Sequence, residues 1–188
     1  LPNTPHYAVM FFAILKAGGT VVNYSPLDAA NVVRHKIADS ETDIMVTLDL
    51  ASLYPLMDEM LRTTRLRCRV VGHIAEMTSG AAAASPDTVG DIAWDDARLR
   101  FADLLAGDGT PVAPAEFDVD QAIAVLQYTG GTTGLPKGAV LTHGNLSAAV
   151  SQAVMNTGGS DGLRPGREVL LCVLPLFHIY ALTFNLLL

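Results

Sequence analysis

The chain has 188 residues, half of them apolar and 16% charged, which suits one globular core and carries too little charge for a disordered segment. A formal net charge of −7 provides no basic stripe to neutralise a phosphate backbone, so nucleic acid is excluded as a partner. The histidines and the two cysteines show no zinc-ligand spacing, and residues 1–5 lack the basic and apolar regions of a secretory signal.

In chain order, Asn3 or Thr4 can cap a first helix with Pro5 in its first turn, and apolar side chains run almost all round residues 7–17. Gly18 and Gly19 end it, because glycine takes the left-handed turn after a helix without a Cβ penalty. Residues 20–24 read as a short strand. Residues 26–28 open a second helix over 29–40, whose two faces are divided by Val32, Val33, Lys36 and Ile37. A strand over 44–48, a helix over 52–61 and a strand over 67–71 follow. This rhythm predicts an α/β fold with layered, parallel-rich sheets joined by right-handed crossovers and flanked by helices. Arg62, Arg65, Arg67 and Arg69 read as a basic turn on a solvated face. Cys68 and Cys172 each lie in an apolar run and read as buried free thiols.

Residues 77–88 are rich in Ala, Ser, Gly and Pro without a period, at the centre of a surface excursion expected over 72–95. A short amphipathic helix is predicted over 98–106, introduced by Asp95 and Asp96, and a loop over 107–114. Residues 122–127 read as a buried strand, apolar up to the closing Gln127. A second strand is expected at 139–142, a helix at 145–155 and a loop at 158–166. From Val169 onward there is no Asp, Glu, Lys or Arg, a length that could cross a bilayer. Pro175, His178 and Asn185 interrupt that run, which divides into a strand over 168–174 and a helical half after Pro175. Two buried elements are therefore expected rather than a membrane span. The first residues resemble the end of a strand and the last three leucines carry no helix stop, so the chain is expected to be part of a larger domain.

Residues 129–138 read Thr-Gly-Gly-Thr-Thr-Gly-Leu-Pro-Lys-Gly, directly after the buried strand. Glycines let successive backbone N–H groups converge on a concavity. Threonine hydroxyls add donors for phosphate oxygens or ligands for magnesium, and Lys137 adds a mobile full charge. Such a set suits the polyphosphate of a nucleotide. Composition alone fits a flexible Gly/Thr hairpin equally well, since a strand follows. A Walker loop is excluded, because Pro136 precedes Lys137 and Gly138 follows it. The dinucleotide fingerprint is excluded too, because it opens into a helix.

At these residues the chain resembles the adenylate-forming superfamily of acyl-CoA synthetases, luciferases and peptide-synthetase adenylation domains. Leu15-Lys16-Ala17-Gly18-Gly19-Thr20 with Pro26 is similar to the family's upstream motif. Leu174-Pro175-Leu176-Phe177-His178-Ile179-Tyr180-Ala181-Leu182 is similar to its segment near the acyl pocket. Leu126-Gln127-Tyr128 and residues 178–182 look most like bacterial long-chain fatty-acid–CoA ligases. The resemblance implies that ATP and magnesium activate a fatty acid as its adenylate, with CoA as the acceptor. Thr129, Gly130, Gly131, Thr132, Thr133 and Gly134 would wrap the β- and γ-phosphates, Lys137 would assist, and Thr129 would touch magnesium. His178 would stand where the carboxylate meets the nucleotide, with Phe177 and Tyr180 near the acyl channel; the blander reading of His178 is a buried histidine bonded to a carbonyl. His143 and Asn145 read as helix-capping, and His6, His35 and His73 carry no signal.

The family's later motifs and its small C-terminal domain with a catalytic lysine do not occur in these residues. The chain is thus expected to be an incomplete portion of the large N-terminal domain, and the isolated chain is not expected to make acyl-CoA. A cytoplasmic setting, peripheral contact with the inner membrane face and self-association through apolar surface all fit the resemblance. An aryl-acid ligase, a carrier-loading adenylation domain and a non-catalytic nucleotide-binding module remain open alternatives.

Overall fold

The computed structural model describes residues 1–77, 87–110, 113, 116–130, 134–158, 162, 164 and 166–188. Helix α1 (Pro5–Lys16) follows Thr4, which is extended and has Pro5 behind it in the first turn, although the Thr4 hydroxyl makes no capping bond. The helix closes where the Ala17, Gly18 and Gly19 N–H groups bond back to the carbonyls of Ala13, Leu15 and Ile14, with Gly18 at φ +76°. Strand β1 (Val21–Val22), helix α2 (Ala30–Asp39), strand β2 (Ile44–Leu48), helix α3 (Tyr54–Thr63) and strand β3 (Cys68–Gly72) come next. Then follow strand β4 (Arg98–Arg100), helix α4 (Phe101–Leu105), strand β5 (Ile123–Thr129), strand β6 (Lys137–Thr142) and helix α5 (His143–Asn156).

Among the described residues the strands form two three-stranded sheets. One is all parallel in the order β2-β3-β4, and the other runs β1-β5-β6, with β1 parallel to β5 and β6 returning antiparallel. The expected parallel-rich α/β layering is what forms. Tyr7 and Phe11 of α1, Val21 of β1, Ala124 and Val125 of β5, and Leu146 of α5 make one core; Val33, Ile37, Met45, Met60 and Leu66 make the other. Helix α1 spans between the sheets: Tyr7 enters the first core, while His6 packs on Phe101 and against Gly72, where a Cβ would come within 2.6 Å of the imidazole.

Several expectations are corrected. The helix predicted over 98–106 is helical only from Phe101, because Arg98–Arg100 pair with β3, anchored by the Arg69 N–H on the Ala97 carbonyl. Arg69 is not on a solvated face. Its side chain is fully buried, ion-paired to Asp58 at 3.0 Å and stacked 4.1 Å from the Tyr54 ring, so its charge is met inside the fold. Residues 168–174 are not a strand: among the described residues no strand pairs with them, and Val169, Leu171 and Val173 are exposed. Cys172 is exposed with them, and Cys68 is half-buried. After Pro175 the chain makes only a short helix α6 (Ile179–Ala181) that widens into a π-helical turn (Leu182–Leu187). Among the described residues no helix is long and apolar enough to cross a membrane. Of the region 72–95, residues 78–86 lie outside the described residues; Val89 bonds back to the Asp49 carbonyl at 2.7 Å and Thr88 bridges Leu50.

Candidate functional site

The apolar run of β5 buries its middle, and its last three residues present alternate faces of the strand. Thr129 sits opposite Lys137 in the antiparallel register, so these two residues flank the loop at its base. Thr129, Gly130, Gly134 and Lys137 are exposed, and among the described residues Lys137 has no ion-pair partner. Gly134 holds φ +112°, a conformation that side chains resist. The phosphate contacts expected of Gly131, Thr132 and Thr133 lie outside the described residues. Lys137 is placed as the first residue of β6, so the strand starts two residues earlier than the sequence suggests.

One face of the β5 end is bolted to α2. Tyr128 lies in the ladder opposite Gly138 and donates its hydroxyl to Asp39 at 2.5 Å. Burial, then the Asp39 carboxylate, pushes the phenol far above its ordinary value. His35, one turn before Asp39, meets the Pro136 carbonyl at 2.9 Å, so that ring nitrogen must carry its proton. The buried Lys36, paired to Asp28 at 2.6 Å, lies 5.4 Å from the Tyr128 ring centre. A Cβ on Gly138 would stand 3.2 Å from that ring, which explains glycine at the foot of the loop. His35, Asp39, Leu135, Pro136, Lys137 and Gly138 together line an open cleft of about 470 Å³. Sequence reasoning assigned nothing to His35. The available signal was its i, i+4 spacing to Asp39, which puts both on one helix face.

The opposite face holds the Pro175–His178 segment. Gln127 donates to the Phe177 carbonyl at 3.0 Å and accepts from Asn23 at 3.1 Å, and Tyr7 reaches Asn23 at 2.8 Å and the Leu176 carbonyl at 3.0 Å. Burial raises the Tyr7 phenol well above its usual range, against the lowering effect of the Asn23 bond. Asn3 brackets the turn from the other end, accepting from the Leu176 N–H and donating to the Leu174 carbonyl, both at 2.8 Å. His178 precedes α6 with its N–H on the Pro175 carbonyl. Its ring is exposed, rests 4.8 Å from the Phe177 ring, and has no hydrogen-bond partner among the described residues, so it is not a buried, carbonyl-bonded histidine. Phe177 is half-buried, while Tyr180 is exposed and stacks on Phe184 at 4.6 Å.

The structure therefore hangs both predicted segments, the glycine-rich loop and the His178 turn, on the end of one strand. At the far end of the hairpin, Thr142 and Asn145 form a reciprocal capping box on α5, whereas His143 is the first helical residue and packs 4.4 Å from Phe117. Among the described residues no cluster of three His, Cys, Asp or Glu could hold a metal.

The residue pattern that defines the AMP-binding enzyme family matches residues 1–188. A long-chain-fatty-acid–CoA ligase of Escherichia coli O157:H7 is 32% identical over 100% of this chain and 34% of its own length. A 4-coumarate–CoA ligase of Oryza sativa subsp. japonica is 33% identical over 97% of this chain and 29% of its own. Among solved structures, ATP-bound MatB from Rhodopseudomonas palustris superposes with a TM-score of 0.71 at 21% identity, covering 97% of this chain and 30% of that one. The chain thus spans about a third of the length of the curated relatives it matches.

Proposed function

This chain belongs to the AMP-binding enzyme family, and we propose that it supplies the phosphate grip of an ATP-dependent acid–CoA ligase. The observation that carries the reading is the pairing of exposed Thr129 with exposed Lys137 at the mouth of the glycine-rich loop, within one strand end of His178. Thr129, Gly130, Gly131, Thr132, Thr133 and Gly134 hold the β- and γ-phosphates of ATP, and the Lys137 ammonium follows the charge that grows on departing pyrophosphate. A carboxylate oxygen of the acid attacks the α-phosphorus, and the bond to pyrophosphate breaks. The thiol of CoA then attacks the acyl carbon, loses its proton, and AMP leaves.

Magnesium fits this donor set in a limited way. The exposed Thr129 hydroxyl would offer the ion one oxygen, and among the described residues no cluster of three His, Cys, Asp or Glu could hold it. When bound, the ion neutralises charge on the phosphates. His178 stands beside the substrate carboxylate, with Phe177 and Tyr180 toward the acyl chain. The activity belongs to the full-length protein, of which this chain is one portion of the large domain, and the 188-residue chain alone is not expected to turn over.

A long-chain fatty acid is the proposed substrate, in line with the name of the bacterial relative and the residues around Gln127 and His178. An aryl acid is the second reading, favoured by the equal likeness to the rice coumarate ligase. ATP–pyrophosphate exchange by the full-length protein across saturated fatty acids and cinnamic acids decides between them. Exchange that depends on fatty acids supports the first reading, exchange with cinnamic acids alone selects the second, and no exchange with any carboxylic acid overturns both.

A further inference from the structure

Among the described residues the Pro175–His178 segment belongs to no sheet, yet three groups of its backbone are held by side chains from elsewhere. Asn3 accepts from the Leu176 N–H, Tyr7 donates toward the Leu176 carbonyl, and Gln127 donates to the Phe177 carbonyl. Asn23 joins Tyr7 to Gln127. Tyr7, Asn23 and Gln127 are all buried, beside an apolar cluster that includes Leu176 and Leu182.

The end of this chain of bonds fixes its direction. The Phe177 carbonyl can only accept, so Gln127 must turn its NH₂ there and its Oε1 toward Asn23. Asn23 must then donate from Nδ2 and present Oδ1 to Tyr7, whose single hydroxyl hydrogen is shared between that oxygen and the Leu176 carbonyl. No amide can flip without leaving an acceptor facing an acceptor. A network of this kind in an apolar surrounding stabilises little over hydrophobic packing but allows one arrangement only. What it arranges is the backbone next to His178, measured from β5, two residues before Thr129.

We propose that Gln127, held in one orientation by Asn23, is a positioning residue that sets the distance between the His178 ring and the nucleotide end of β5. It touches neither substrate and acts through the Phe177 carbonyl. The inference rests on the reading of His178 as the neighbour of the substrate carboxylate, and its test separates the two.

The experiment measures KM for the acid, KM for ATP and kcat in the full-length protein for three variants. In Gln127→Leu, the loss of both side-chain hydrogen bonds, to the Phe177 carbonyl and from Asn23, raises the acid KM about tenfold and leaves the ATP KM within about twofold. In Gln127→Glu, the new carboxylate faces a carbonyl when ionised but donates to it when protonated. Its kcat/KM for the acid, taken as a ratio to the unaltered protein, therefore climbs back as pH falls from about 8 to about 6, because burial holds such a carboxyl high. A purely structural role would not produce recovery at low pH confined to the acid's kcat/KM. His178→Ala is the third variant. If it raises the acid KM while Gln127→Leu does not, the positioning role is overturned and the ligase reading stands. If His178→Ala leaves the acid KM unchanged, the reading of His178 falls and this inference falls with it. Should Gln127→Leu fail to fold, a flat pH ratio for Gln127→Glu overturns the proposal by itself.

Discussion

The bond between Tyr128 and Asp39 ties the glycine-rich hairpin to α2 beside the His35 contact with the Pro136 carbonyl, and Tyr128→Phe removes it while leaving the ring that Lys36 approaches. A hydrogen bond to a charged acceptor contributes about 1.5–3 kcal/mol. Asp39 is itself exposed, so its freed oxygen regains water, and the lower end of that range, about 1.5 kcal/mol, is the expected cost. With a urea m-value of about 2 kcal/mol per molar, the denaturation midpoint should fall by about 0.75 M. Asp39→Asn, which keeps an acceptor but removes its charge, should cost roughly half as much. The hairpin's ladder from Ile123 to Thr129 survives either change, so the KM for ATP in the full-length protein should rise no more than about fivefold. Urea titration followed by far-UV circular dichroism reads the first effect and initial rates read the second. A midpoint unchanged by Tyr128→Phe would refute the idea that this hydroxyl ties the two elements together.

The other expectations test separate parts of the structure. Lys137→Ala should weaken ATP binding by about 10- to 100-fold, the worth of a charge-assisted phosphate contact, with the KM for the acid unchanged; calorimetry and initial rates measure both. Thr142→Ala leaves the Asn145 N–H without its cap and should cost about 1 kcal/mol in thermal or urea denaturation. Burial alone would raise the Asp58 carboxyl, but bonds from Arg98 and Arg69 hold it below its ordinary 3.8. The unfolded chain then binds the extra proton first, so the stabilisation from this cluster of Asp58 with two arginines is full above pH 3.8 and fades as pH falls below it. Stability measured against pH should therefore drop more steeply below 3.8 in the unaltered protein than in Asp58→Asn.

What could be read from the residues was whatever depends on local pattern. The apolar run 44–48 becomes β2 residue for residue, and the strand before the loop, the loop and the returning strand form the hairpin that their order suggests. The rest turns on partners distant in sequence. Arg98–Arg100 are extended because β3 offers them a ladder, which a helical pattern over 98–106 cannot reveal. Residues 168–174 have the apolar content of a strand, but strand formation needs a neighbour, and none of the described residues supplies one. Arg69 looked like one of four surface arginines; only the fold brings Asp58 and the Tyr54 ring to its guanidinium. The place of the loop between two strands was legible from its run of glycines. Its supports, Asp39 and His35 on one face and Gln127 with Asn23 and Tyr7 on the other, were not, because what makes each a support is a partner elsewhere in the chain, which its own sequence surroundings do not reveal.

The central claim is that residues 129–137 grip the terminal phosphates of ATP. A crystal structure of the full-length protein with a non-hydrolysable ATP analogue and magnesium tests it most directly. The β- and γ-phosphate oxygens should lie within hydrogen-bonding distance of the loop's backbone N–H groups and threonine hydroxyls, with the Lys137 ammonium beside them. A triphosphate bound elsewhere on the protein, with this loop turned away from it, would contradict the account.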